Sequence, residues 1–175
     1  MFDLRTETAD DWWEVEALYD LCFAPGREAL SSYRLRDDVP KVAELCLVAR
    51  DASAMDLGVA PVGGAIRYWP VRIGGARALL LGPVAVHPTH QGEGLGALLI
   101  AQSLNKAQKI GWDRVMLVGD PPYYGRFGFS RLDTVEMPPP TNPERVLGLE
   151  LTPGAWDGIA GVVERDLPQA DDAAP

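Results

Sequence analysis

The chain has 175 residues, a formal net charge of −9, and 47% apolar residues. That length suits one domain that buries enough surface to fold without disulfides or metal, and charge interrupts the apolar residues throughout, as in globular and not in disordered chains. The acidic balance excludes nucleic acid as a partner, because phosphate binding needs a clustered basic face, and it leaves any anionic ligand to local donors.

Residues 2–8 alternate apolar and polar and read as a strand. The segment Met1-Phe2-Asp3-Leu4-Arg5 lacks the basic start and apolar core of a signal peptide. No apolar run in the chain approaches the ~20 residues that cross a bilayer, so a cytoplasmic protein without membrane contact is expected. Asp10 can cap a helix from about Asp11 to Phe23, with Trp12, Val15, Leu18, Tyr19 and Cys22 at helical spacing. Pro25-Gly26 breaks it, and Glu28 to Arg36 is a weaker helical stretch, polar enough to serve as a lid. Cys22 and Cys46 sit in apolar segments and read as free buried thiols.

From Glu44 the period changes. Leu45 to Ala49 and Val62 to Trp69 read as strands, separated by a loop through Asp51 to Leu57. Ile73-Gly74-Gly75-Ala76 has the glycines of a hairpin turn and leads into an apolar strand, Ala78 to Val86. Gly82-Pro83 within that strand predicts a bulge or a locally unpaired backbone, since proline cannot donate to the ladder. The strongest helix runs from about Gly94 to Ile110, with Leu95, Leu98, Leu99, Ala101 and Leu104 on one face and Gly111 to end it. Arg114 to Gly119 reads as a buried strand and Tyr123 to Phe127 as a short helix. Strands are expected near Phe129–Val135 and Val146–Leu151, with a proline-rich loop from Met137 to Pro143 between them. Residues 168–175 have nothing to bury and read as a disordered tail behind a domain of residues 1–167. The order of elements makes this an α/β domain with a mixed sheet.

Chemistry concentrates in one segment, Val84-Ala85-Val86-His87-Pro88-Thr89-His90-Gln91-Gly92-Glu93-Gly94-Leu95-Gly96. A strand stops, a glycine-rich loop follows and a long helix begins. Such a junction aims unpaired amides and the positive end of a helix dipole at one point, and glycines let a bulky anion approach. A pyrophosphate is the natural occupant. Gly92-x-Gly94-x-x-Ala97 also satisfies a loose dinucleotide fingerprint, but that fold would place the loop after its first strand. No Gly-Lys-Ser/Thr sequence occurs, which excludes a P-loop.

Here the sequence resembles the GNAT superfamily of N-acetyltransferases. The match lies in Gln91-Gly92-Glu93-Gly94-Leu95-Gly96, in the preceding Val84-Ala85-Val86-His87-Pro88, and in Tyr124-Gly125-Arg126-Phe127-Gly128-Phe129 downstream. It is good over about residues 78–130. The resemblance implies a mixed, mostly antiparallel sheet that splays open at an acetyl-CoA site and is flanked by helices. It implies that the backbone of Val84, Ala85 and Val86 pairs with the pantetheine arm. It places the pyrophosphate on the amides of Gly92, Glu93, Gly94, Leu95, Gly96 and Ala97, with Gln91 shaping the loop. It also makes Tyr124 the acid that protonates the coenzyme A sulfur, with Tyr123 as its competitor. The chain departs from the family in Gly119-Asp120-Pro121-Pro122-Tyr123, where members often carry an asparagine-containing helix; this resembles a small bacterial subgroup.

The implied activity is transfer of an acetyl group from acetyl-CoA to a primary amine by direct attack in a ternary complex. Two rivals are a non-catalytic acyl-CoA sensor and a dinucleotide-dependent oxidoreductase. His87, His90, Asp120, Glu136 and water all stand as candidates for the base, and the residues do not choose among them. Two histidines three apart with no cysteine or carboxylate cluster make no metal site. The acceptor is unread, with Ala24–Pro40 and Met137–Arg145 expected to build its site. A homodimer is compatible with the chain, but oligomeric state has no signature in it.

Overall fold

A computed structural model describes residues 1–23, 26–58 and 60–168. Pro25 and the expected tail from Gln169 onward fall outside them. The residues form two compact units. One comprises Met1–Arg27, Val42–Tyr68 and Leu81–Trp112; the other comprises Glu28–Lys41, Trp69–Leu80 and the chain from Asp113.

In the first unit, strand β1 (Phe2–Thr6) pairs antiparallel with β2 (Leu47–Asp51), and β2 pairs antiparallel with the opening residues of β3 (Val62–Ile73). Helix α1 (Trp12–Cys22) covers one face of these strands, and helix α3 (Leu95–Lys109) covers the other. The period of two in β3 explains the division. Ala65 joins Val15, Leu18 and Tyr19 of α1 in one apolar cluster, and Arg67 on the same face is ion-paired to Glu16 of α1. Gly64 and Tyr68 point the other way. A Cβ at Gly64 would stand 2.9 Å from the Leu99 side chain, so glycine lets α3 lie close, and the Tyr68 hydroxyl shares a 2.8 Å hydrogen bond with Ser103.

The start of α1 differs from expectation in an instructive way. A short 3-10 turn, Ala9–Asp11, precedes it, and Asp11, not Asp10, is the acidic group that organises the turn. The Asp11 carboxylate accepts from the amide and hydroxyl of Thr8, each at 2.8 Å, and from Arg50 at 2.7 Å and Arg5 at 2.8 Å. Its side chain is buried, so the cap is also an anchor to β2.

In the second unit, the far end of β3 pairs antiparallel with β9 (Gly161–Arg165), which in turn pairs parallel with β7 (Val135–Glu136). The early part of β4 (Ala76–Val86) runs parallel to β5 (Arg114–Val118) over Leu79↔Val115 and Leu80↔Met116. β5 pairs antiparallel with β8 (Val146–Glu150), and β8 with β6 (Ser130–Arg131). Val71, Ile73, Ala78, Leu80, Met116, Val146 and Val163 fill the core of this unit. The strand ladders are therefore mixed and mostly antiparallel, with helices on their faces, as the resemblance implies.

Four further differences stand out. β3 continues through Pro70 to Ile73 instead of stopping at Trp69. The expected strand near 129–135 is two short ones, and the segment after Arg27 is a 3-10 turn, Arg27–Ala29, followed by one turn of helix α2 (Ser31–Arg34). Strand β9 was not anticipated at all. Among the described residues no helix is long and apolar enough to cross a membrane.

Candidate active site

The loop between β4 and α3 is built by its glycines. Gly92 and Gly94 take φ of 84° and 79°, the left-handed region, and a Cβ at either would meet nothing within 4 Å. The chain thus turns sharply while its backbone stays open to solvent. Residues 91–94 are exposed. The first bond of α3 runs from the Leu98 amide to the Gly94 carbonyl at 3.0 Å. The amides of Leu95, Gly96 and Ala97 precede that bond and have no partner within the helix. None of the amides from Gln91 to Ala97 donates to another group among the described residues. They converge at the positive end of a 15-residue helix, which is how a fold holds a phosphate without a cationic side chain.

The loop is tied back to the strand it leaves. The Gln91 side-chain amide donates to the Val86 carbonyl at 3.3 Å. The His87 amide donates to the Gly63 carbonyl of β3 at 2.8 Å. Because backbone groups alternate along a strand, this puts the N–H and C=O of Val84 and Val86 on the edge of β4 away from β3. Val84 and Val86 are half-buried, while Ala85 is buried against α1. β4 runs on through Gly82-Pro83, where Gly82 takes a φ of 130°.

In the second unit, helix α4 (Pro121–Gly125) is capped by the Asp120 carboxylate, which accepts from the Tyr123 amide at 3.3 Å. The Tyr124 ring lies against Gly119 and meets the rings of Tyr123 and Phe129 edge-on, with centroids 4.9 Å and 6.0 Å away. Burial pushes the Tyr124 phenol up to about 12, with the neighbouring Tyr123 and Asp120 adding to the rise and Arg145 opposing it. Its hydroxyl has no hydrogen-bond partner among the described residues. Tyr123 sits differently: the Arg126 guanidinium stacks 4.5 Å from its ring centroid.

Residues 43–131 match the acetyltransferase (GNAT) domain family. Over 129 residues the chain is 30% identical to YhbS of Escherichia coli, an uncharacterized N-acetyltransferase, covering 73% of this chain and 72% of that protein. The chain belongs to the GNAT family of acetyl-CoA-dependent N-acetyltransferases.

Two solved GNAT structures resemble this one closely. That of E. coli YhbS, in complex with CoA, superposes with a TM-score of 0.79 at 27% identity and covers 94% of this chain and 89% of its own. A GNAT family acetyltransferase from Brucella melitensis, in complex with acetyl-CoA, gives 0.68 at 28% identity, covering 94% and 95%.

The base candidates of this GNAT chain are mostly occupied. His87 Nδ1 accepts from the Thr89 amide at 3.2 Å and lies 2.7 Å from its hydroxyl, capping the turn Pro88–His90. His90 lies 3.5 Å from Glu93 and 3.9 Å from Asp51, with its ring edge-on to Phe2. Asp120 is the cap of α4. Glu136 is exposed on β7. The two segments expected to build the acceptor side do meet, since Ser31 Oγ and Thr141 Oγ1 are 2.7 Å apart. Sequence reasoning missed Tyr19 and Cys22, whose side chains reach β4 64 residues further on. Their helical spacing marked them as core, and nothing local signals a bond to a distant carbonyl.

Proposed function

We propose that this GNAT enzyme transfers the acetyl group of acetyl-CoA to a primary amine by direct attack in a ternary complex. The observation that carries the reading is the row of unpartnered amides from Gln91 to Ala97 at the start of α3. Pyrophosphate carries two adjacent anionic groups, and such a row matches them with directional donors. YhbS with CoA and the Brucella enzyme with acetyl-CoA support the same ligand for this chain. The pantetheine arm is read along Val84, Ala85 and Val86, as an added strand that uses backbone groups on the edge away from β3.

In the reaction the amine nitrogen attacks the thioester carbon. A C–N bond forms, the C–S bond breaks, and the nitrogen gives up a proton, taken in this reading by water. Tyr124 is read as the acid toward the leaving sulfur. A phenol raised to about 12 stays protonated at every working pH, so it always presents a donor. A thiol of pKa about 8.5 leaves as an anion, and a hydrogen bond to it lowers the barrier most when the C–S bond is breaking. The acceptor side is read in the segments joined by Ser31 and Thr141.

A panel of primary amines, assayed for coenzyme A release with acetyl-CoA held saturating, tests the reading. Amine-dependent release is expected. Tight acetyl-CoA binding with no turnover on any amine would favour a sensor and overturn the enzymatic proposal for this chain.

A further inference from the structure

Helix α1 holds β4 at two points. The fully buried Tyr19 hydroxyl donates to the Pro83 carbonyl at 3.1 Å, and the Cys22 thiol donates to the Val86 carbonyl at 3.3 Å. Residues i and i+3 share a helix face, so these two donors bracket Val84 and Ala85 as a pair. Docking of α1 does not need them. Val15 and Leu18 pack on Val48, Val62, Ala65 and Ala85, and Glu14 and Glu16 are ion-paired to Arg50 and Arg67. A phenylalanine would fill the same space as Tyr19.

The consequence lies in peptide geometry. In a trans peptide the C=O and the following N–H point in opposite directions. The Val86–His87 peptide is held at both ends, its carbonyl by Cys22 and Gln91 and its N–H by Gly63. The Pro83–Val84 peptide is held by Tyr19 at its carbonyl, which aims the Val84 N–H the opposite way. We infer that Tyr19 and Cys22 are positioning residues: they set the tilt of the Pro83–Val84 and Val86–His87 peptides so that the Val84 N–H faces the pantetheine arm and its thioester. This rests on the reading that the arm lies along Val84–Val86, and it adds two side chains, neither in the glycine loop, that govern the chemical step.

The test separates the arm from the pyrophosphate. Acetyl-CoA and 3′-phospho-ADP, which has the nucleotide and pyrophosphate but no pantetheine, are titrated into wild type, Tyr19→Phe and Cys22→Ala, alongside kcat and melting temperature. Tyr19→Phe is expected to lower kcat/KM for acetyl-CoA on the order of tenfold while leaving 3′-phospho-ADP affinity within about twofold. Cys22→Ala should show the same pattern with a smaller effect, because a thiol is the weaker donor. Wild-type kcat/KM in Tyr19→Phe overturns the inference, and so does a parallel loss of acetyl-CoA and fragment affinity, which a merely structural role would produce. If the wild-type protein binds acetyl-CoA but not the fragment, the loop reading itself fails, and that result needs no variant.

Discussion

Gly119 lies directly beneath the Tyr124 ring: a Cβ at residue 119 would stand 2.8 Å from one ring carbon and nearer still to another. The residue that follows β5 thus leaves room for the tyrosine, which occupies the space a side chain would take. Gly119→Ala should force the ring to move. Overpacking of this kind costs about 1–3 kcal/mol, so the melting temperature should fall by several degrees and kcat should fall with it. Thermal scans and steady-state kinetics on one preparation would check this. An unchanged kcat would show that the ring's placement does not matter to turnover.

Tyr124→Phe separates the hydroxyl from the ring. The hydroxyl has no hydrogen-bond partner among the described residues, so its removal should leave melting temperature unchanged. If the phenol serves the leaving sulfur, kcat should drop by roughly 10²–10⁴ with little change in acetyl-CoA affinity. Tyr123→Phe is the control, since that ring is engaged with Arg126. Rapid-quench or steady-state rates showing the reverse ranking would reassign the acid to Tyr123.

Gly94→Asp places a carboxylate at the mouth of the amide row. Its Cβ has open space, and aspartate tolerates the left-handed region better than most residues, so the fold should survive at a cost of about 1–2 kcal/mol. Acetyl-CoA binding should be lost by calorimetry if the proposed pyrophosphate site is right, because the new negative charge would stand where the pyrophosphate is proposed to lie. Retained affinity in a folded variant would remove the loop from the site.

Asp11 makes a prediction about acid. Burial opposes its charge, but hydrogen bonds from Arg50, the Thr8 amide and hydroxyl, and Arg5 outweigh that and hold the carboxyl far below the usual carboxylate range. The unfolded chain takes up a proton at about pH 4, where the native state does not. Stability therefore rises with pH in that region: the contribution is complete above about pH 5 and is lost as pH falls toward the native value. Urea midpoints measured from about pH 6 to about pH 3 should fall steeply for wild type and more gently for Asp11→Asn, which should also be weaker at neutral pH. Parallel curves would mean that other carboxylates carry the acid sensitivity.

Much of the fold was legible where the signal is local. The hairpin at Gly74-Gly75, the span of α3 from its leucine spacing, and the Gln91–Gly96 junction follow from backbone freedom and a 3.6-residue period, which neighbours in sequence determine. The strands at the periphery were harder. Gly161–Arg165 buries only Val163, so its pattern carries little information, and it becomes a strand because Val71–Ile73 and Val135–Glu136 offer it edges. β3 runs on past Pro70 for the same reason: a proline removes one donor, but the partners on either side supply the rest.

At the candidate site the division is similar. The order of residues alone determined where an anion can meet bare amides, because glycines and a helix start within one short segment are sufficient for that. Only the tertiary structure decided which acidic residue anchors α1 to β2, since Asp11, besides its local bonds from Thr8 and Arg5, accepts from Arg50, 39 positions away. It also distinguished Tyr124 from Tyr123, adjacent and identical in type, by placing one against Gly119 and the other under Arg126. And it brought Tyr19 to Pro83, a contact between groups 64 residues apart that exists only once a helix has packed on a strand, since a side-chain donor and a backbone carbonyl leave no periodic trace in sequence.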